Sequence, residues 1–173
     1  MPISVSTFGS IRAVGDIQAG SIFILPTSNR TAIGMMISPG PGDRRYIAWL
    51  DEPLNDDEKQ LGLSDMGHYA RSRALVIDDA FLVLSEEPRY ILAWDNQRES
   101  GIVVRTAEAN IMMFVQEHPN ISPFVDLATG LFVPRPNTDK SLALAWMSWV
   151  LVRRYNEGDR VVTVPLCKWE VVP

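Results

Sequence analysis

One polar stretch of the chain contains the residues best suited to chemistry. Asp65, His68 and Arg71 lie close together within residues 53–72. A histidine beside a carboxylate on a loop can act as a base or bind a divalent metal. No two of these residues stand at a spacing typical of a metal site, so a solvated loop is the competing interpretation. The stretch therefore offers one candidate site, that of a small hydrolase-like enzyme with Asp65, His68 and Arg71 as its candidate catalytic residues.

Other reactive groups lack the partners that chemistry would require. The acidic run 51–58 has neither the glycine nor the distant glutamate of a calcium-binding loop. Cys167 precedes a lysine, but neither histidine is near it in sequence, which favours an inert thiol. No glycine-rich phosphate loop or nucleophile elbow is present. We therefore expect neither a metal nor a cofactor.

Arginine and aromatic residues recur in two similar stretches, Thr31 to Glu52 and Ala80 to Asp95. Each has an apolar run, a polar turn with proline, and a return segment that begins Arg-Tyr-Ile and continues to a tryptophan and an aspartate. Such side chains dominate binding hot spots and also ordinary cores. The candidate binding residues are Arg45, Tyr46, Trp49, Arg89, Tyr90 and Trp94.

The two stretches predict β-hairpins, within 31–52 and 73–95. Either an internal duplication or a chance resemblance between amphipathic hairpins would explain their similarity. In the first hairpin, Ile33, Met35 and Ile37 face one side of the strand and are the expected core face, while Ala32, Gly34, Met36 and Ser38 face the other. The return strand is apolar on both sides. It must be covered on both sides, by a second layer or by a partner.

Two stretches predict helices, at about 107–117 and 139–156. In the first, apolar residues recur at helical spacing between a threonine cap and a terminating proline. The second combines a Leu/Ala/Met-rich segment with basic residues near its end and Gly158 beyond it. A hairpin through 156–159 is the alternative for this segment, and the helix is favoured. The run 142–152 is apolar all round, which predicts a central element or a subunit interface.

Composition limits the class of protein. The 173 residues are 46% hydrophobic, enough for one domain with a substantial core. Acidic residues outnumber basic ones by 21 to 16, and the resulting charge of −5 disfavours nucleic acid as a partner. This balance also opposes a small nucleic-acid-processing barrel, for which the order of the first strands gives a weak indication.

The sequence also predicts a location. A single cysteine fits a reducing compartment, and the N-terminus has no signal-like pattern. The longest apolar run is shorter than the about 20 residues that a membrane-spanning helix needs. We expect a cytoplasmic protein that does not enter a membrane.

These observations predict a single β-rich α+β domain over residues 1–173. Its antiparallel sheets, or a partly open barrel, would be built from hairpins and accompanied by the two helices. The expected function is that of a non-catalytic binding or assembly module, a homo-oligomer or a protein-binding unit. It would use apolar surface from 142–152 or the hairpin aromatics. The alternative is the hydrolase-like enzyme with its site in 53–72.

Overall fold

Strands dominate the computed structural model, which describes residues 9–26, 31–38, 43–55, 58–84, 87–91, 101–105, 111–115, 124–133 and 143–170. Every strand pair in its sheets is antiparallel. The strands are β1 (Ser10–Ala13), β2 (Ile22–Pro26), β3 (Thr31–Ile37), β4 (Tyr46–Asn55), β5 (Glu58–Asp65), β6 (Arg73–Val76), β7 (Ala80–Leu84), β8 (Arg89–Ile91), β9 (Val103–Arg105), β10 (Ile111–Phe114), β11 (Phe124–Asp126), β12 (Phe132–Val133), β13 (Ala143–Trp146), β14 (Ser148–Glu157) and β15 (Arg160–Glu170).

The strands form three sheets. Sheet 1 has the order β1-β6-β2-β3-β4-β5, sheet 2 has the order β12-β11-β10-β9-β13-β8, and sheet 3 has the order β15-β14-β7. A parallel bridge between Ser38 and Leu131 joins sheets 1 and 2. Two 3-10 helices, Val14–Asp16 and Met66–Tyr69, are the helical elements among the described residues. The β-rich, antiparallel prediction is therefore confirmed.

The central strands β3 and β4 of sheet 1 are buried on both faces because their residues alternate between two apolar sets. Ile33, Met35 and Ile37 enter a central core shared by all three sheets, which confirms the predicted core face. The opposite side packs beneath the two 3-10 helices. We call this side the closed face; its buried residues are Val14, Ile17, Phe23, Leu25, Ala32, Met36, Ile47, Trp49 and Ala74. The return strand of the first hairpin, β4, is thus covered on both sides by other parts of the same chain.

The two predicted helices are wrong. Residues 111–114 of the segment 107–117 form strand β10, and most of 139–156 forms strands β13 and β14. Residues 107–110, 116–117 and 139–142 lie outside the described residues. An unbroken apolar run fits a strand covered on both sides as well as it fits a buried helix, and spacing alone does not separate the two. The second-ranked hairpin is correct: β14 and β15 pair around a turn that contains Gly158 at φ 61°.

The second predicted hairpin does not form. β7 pairs with β14 in sheet 3, whereas β8 pairs with β13 in sheet 2. The strands in 73–95 were predicted correctly, but their pairing was not. Both β7 and β8 pair with the apolar segment 143–153, which is distant in the sequence. The first hairpin does form, since β3 pairs with β4.

The central core is where the three sheets meet. Trp149 of β14 and Trp169 of β15 stack in it with their ring centroids 6.2 Å apart. The indole Nε1 of Trp149 donates to the carbonyl oxygen of Gly101 at 2.7 Å, which links sheet 3 to the residues that precede β9 of sheet 2. The apolar run 142–152, as far as it is described, is thus a central element of the chain.

Candidate functional site

The predicted catalytic residues lie on a short turn at the surface. The carboxylate of Asp65 accepts a hydrogen bond from the backbone N–H of Gly67 at 2.7 Å and so caps the 3-10 helix Met66–Tyr69. Its other oxygen lies 3.7 Å from the guanidinium of Arg44. His68 and Arg71 are exposed. The geometry is that of a capped turn, and no cavity among those described is lined by these three side chains.

The stretch 53–72 is also less of a loop than its composition suggests. Its middle forms strand β5, which pairs with β4. Within the described part of the chain, no three His, Cys, Asp or Glu side chains come close enough together to hold a metal ion. The interpretation of 53–72 as a loop is wrong for residues 58–65, which form β5.

The first set of predicted binding residues stabilises the fold. Arg45 donates to the backbone carbonyl oxygens of Ile17, at 2.7 Å, and of Gly15, which fastens the first 3-10 helix to sheet 1. Trp49 is 4% exposed, and its Nε1 donates to Ser64 Oγ at 2.9 Å.

Tyr46, the remaining member of this set, packs edge-to-face on Phe132 at 5.9 Å between centroids. It therefore contributes to the contact between sheets 1 and 2. Arg45, Tyr46 and Trp49 all have structural partners, and none of them is among the described residues that line the cleft introduced below.

The second set lies elsewhere in the fold. Arg89 and Tyr90 belong to β8, opposite Ala145 and Leu144 in sheet 2, whereas the first set extends from β4 of sheet 1. The side chains of Arg89 and Tyr90, and the whole of Trp94, lie outside what the structure describes. As far as the structure describes them, the two sets therefore belong to different sheets.

A cleft of about 420 Å³ opens where the three sheets meet. We call it the central cleft. Sheet 1 lines it from β2, β3 and β4, sheet 2 from β9, β10 and β11, and sheet 3 from β7 and β14. Its described lining residues are Gly20, Ile22, Met35, Leu50, Ala80, Phe81, Leu82, Leu84, Val103, Ile111, Met113, Asp126, Leu127, Ala128 and Leu151.

The apolar side chains of the central cleft are incompletely covered. Ile22, Leu82, Leu84 and Leu127 pack against the central core but are only partly buried, and Ile111 is 40% exposed. Covering such partly exposed apolar groups is favourable by about 25 cal/mol per Å² of surface removed from water. An apolar ligand in the cleft would provide this cover.

Asp126 is the one charged residue among the described residues that line the central cleft. Its Oδ1 accepts hydrogen bonds from the backbone N–H groups of Ala128, at 2.8 Å, and Thr129, at 3.1 Å. Its backbone carbonyl accepts from the N–H of Gly130 at 2.8 Å. These bonds close the turn between β11 and β12 and fix the carboxylate at the edge of an apolar cavity.

Two glycines bring this turn against sheet 1. Gly130 has a φ of 68°, and a Cβ built on it would lie 1.9 Å from the backbone nitrogen of Gly20. Next to this close approach of Gly130 and Gly20, the N–H of Ser38 donates to the Gly130 carbonyl oxygen at 2.9 Å. Residues without side chains thus allow the backbones of sheets 1 and 2 to approach each other where the cleft-lining residues Gly20 and Asp126 lie.

Asp126 was not among the predicted site residues, although the sequence around it carries a local signal. An aspartate followed four positions later by glycine, between the apolar segments 124–125 and 131–133, is typical of a turn that joins two strands. The pattern predicts the hairpin. It does not place the carboxylate at a cleft, because the other walls come from strands distant in the sequence.

Cys167 is a neutral thiol. Burial raises its pKa to about 12, and the charge of Asp51 acts in the same direction. A backbone hydrogen bond at Leu151 opposes the shift without cancelling it. A thiol that stays protonated at neutral pH is a poor nucleophile, so it contributes packing and no catalytic chemistry.

No known family model, curated protein or solved structure matches this chain. Across the residues that the structure describes, no helix has both the length and the apolar character needed to cross a membrane.

Proposed function

We propose that this protein is a non-catalytic binding module that holds a small apolar molecule in the central cleft. The observation that carries this proposal is the lining: three sheets direct partly buried aliphatic side chains into one cavity. Its volume of about 420 Å³ lies within the range of roughly 300–1,000 Å³ that ligand sites occupy. The three walls are formed largely by strands that are hydrogen-bonded within their sheets, so we expect the cavity to exist before a ligand enters.

Binding of an uncharged, chain-like probe tests this proposal. We expect nonan-1-ol to bind saturably and to shift the backbone amide NMR signals of cleft strands β7 and β10. The indole signal of Trp49, on the closed face, should not move. Saturable shifts confined to surface residues, or no shifts at all, would contradict the proposal.

Two neighbouring residues of β7 supply a matched pair of variants. Leu82 faces the central core and the cleft, whereas Val83 points to the other side of the sheet and is exposed. Leu82→Trp should fill the cleft and weaken nonan-1-ol binding at least about tenfold, a loss of roughly 1.4 kcal/mol. Val83→Trp adds the same ring without entering the cleft, so its affinity should stay that of the unmodified protein. Equal effects of the two variants would refute the assignment.

Self-association is a second candidate function, supported by the β14–β15 ribbon. β7 pairs with β14 only as far as Arg153, so the described residues beyond it form a two-stranded extension. Such ribbons are marginally stable alone. This one exposes Val161 by 63%, and Val164, opposite Arg153 at its base, is 39% exposed. A second copy of the ribbon would cover them.

Light scattering during size-exclusion chromatography tests this candidate. A dimer is expected for the unmodified chain and a monomer for Val161→Lys. Gln18→Lys adds the same charge at an exposed site away from the ribbon and should stay dimeric. A concentrated, unmodified sample that elutes as a monomer would end this idea.

The hydrolase-like alternative gains no support from the site geometry, since His68 is exposed and Asp65 caps a turn. The cytoplasm remains our proposed compartment, because one neutral thiol fits a reducing environment. Recovery of a tagged chain from an exported fraction would contradict that location.

A further inference from the structure

We infer that the central cleft selects amphiphiles with a cationic head, such as an alkyl amine, over neutral or anionic ones, with Asp126 as the group that recognises the charge. This inference rests on the proposed function and adds the chemistry of the ligand's polar end. It follows from three observations: the position of one carboxylate, the way its hydrogen bonds hold it, and the charges that the cleft lacks.

Asp126 lies at the exposed edge of the cleft, next to an apolar interior. Leu127, half-buried, and Ala128, exposed, follow it on the same turn and also line the cleft. Deeper lining residues such as Met113 and Leu151 are fully buried and apolar. A ligand with its chain among these side chains would therefore place its head beside the carboxylate.

The turn holds the carboxylate in place before any ligand arrives. Both backbone donors, from Ala128 and Thr129, bind the same oxygen, Oδ1. This arrangement leaves Oδ2 out of the turn's own hydrogen bonds. A fixed acceptor loses little conformational entropy on binding, and a charge-assisted hydrogen bond is about twice as strong as a neutral one.

The charges of the cleft exclude the opposite preference. No Lys, Arg or His is among its described lining residues, so nothing there would neutralise the carboxylate of a fatty acid. Such a group would lie next to Asp126, where the apolar walls increase the repulsion. The net charge of −5 acts in the same direction at long range.

Three probes with the same chain test the inference: nonan-1-amine, nonan-1-ol and nonanoate, titrated calorimetrically below the concentrations at which they aggregate. We expect the amine to bind about tenfold more tightly than the alcohol, because Asp126 is half-exposed and its attraction is partly screened. Nonanoate should bind most weakly. Added salt should reduce the preference for the amine without affecting the alcohol.

Two variants separate the local charge from the overall charge. Asp126→Asn keeps a side-chain oxygen for the turn while removing the charge, so the amine and the alcohol should then bind within about twofold of each other. Asp159→Asn removes an equal charge from the exposed β14–β15 turn and should keep the full preference. Asp126→Ser, which also retains an oxygen acceptor, replaces the first variant if that one unfolds.

The outcomes distinguish this inference from the function on which it rests. Equal affinities of amine and alcohol for the unmodified protein, or a preference that survives in Asp126→Asn, would overturn the role of Asp126 while the cleft remains a binding site. If none of the three probes binds, the proposed function and this inference fail together.

Discussion

The two faces of sheet 1 are both apolar, yet one is sealed and the other opens into a cavity. On the closed face, Trp49 packs edge-to-face against Phe23 and Tyr69, with centroids 6.4 and 5.4 Å apart. On the opposite face, Met35 and Leu50 line the central cleft. Strand alternation supplies both sets from the same strands.

The difference lies in what covers each face. The 3-10 helices that seal the closed face lie close in sequence to its strands, and Arg45 holds the first of them through two carbonyl oxygens. The other face packs against sheets 2 and 3, and the central cleft lies where the three sheets meet. Apolar character therefore does not identify a binding site. Incomplete coverage of apolar groups does.

The largest expected effect tests the closed face. Trp49→Ala should destabilise the protein by about 3–5 kcal/mol, because it leaves a cavity and deprives Ser64 of its hydrogen bond. Urea unfolding measures the change. Trp49→Phe keeps an aromatic ring and removes the indole N–H, so it should cost distinctly less. If Trp49→Ala lowers stability by less than about 1 kcal/mol, the closed face is not the tightly packed one.

The two apolar faces of sheet 1 were predictable from the sequence, whereas the central cleft was not. The alternation in 31–37 predicted the two faces because strand geometry is local. The run from Ile111 to Val115 fits a helix or a strand equally well, and the structure resolves it as β10 through its pairing with β9 and β11. Pairing of β7 with β14 joins Leu84 to Trp149. No local pattern encodes such a contact, so the cleft that depends on it could not be foreseen.

A pair of identical substitutions measures the free space on each side. Leu25 is 2% exposed on the closed face, whereas Leu82 is partly buried beside the cleft. Leu25→Trp should destabilise the protein by about 1–3 kcal/mol, because a close-packed region must deform to accept the larger ring. Leu82→Trp should cost less than about 1 kcal/mol, because the indole can extend into an existing cavity.

Urea unfolding of both variants, with unchanged m-values, checks this expectation. The order of the two losses is the critical result. Should Leu82→Trp prove the more damaging, the central cleft would not be open in solution. The comparison between the faces would then lose its basis.

Near neutral pH the smallest effect concerns Cys167, whose sulfur lies 3.9 Å from the Leu50 carbonyl oxygen. Since burial raises its pKa to about 12, the folded state keeps the proton after the unfolded state has lost it. Stability from this group is therefore complete below about pH 9 and declines toward pH 12. Comparing the alkaline unfolding of the unmodified protein with that of Cys167→Ala isolates this contribution, which the variant lacks.

Thiol labelling at pH 8 gives an independent measure of the same residue. A disulfide reagent should modify folded Cys167 at least about a hundredfold more slowly than the unfolded chain, because little thiolate is present. Nonan-1-ol should leave this rate unchanged, since Cys167 is not among the described residues that line the central cleft. Protection by the alcohol would mean that the bound ligand reaches past Leu50 toward β15, and the cavity would then extend farther into the core than its described lining.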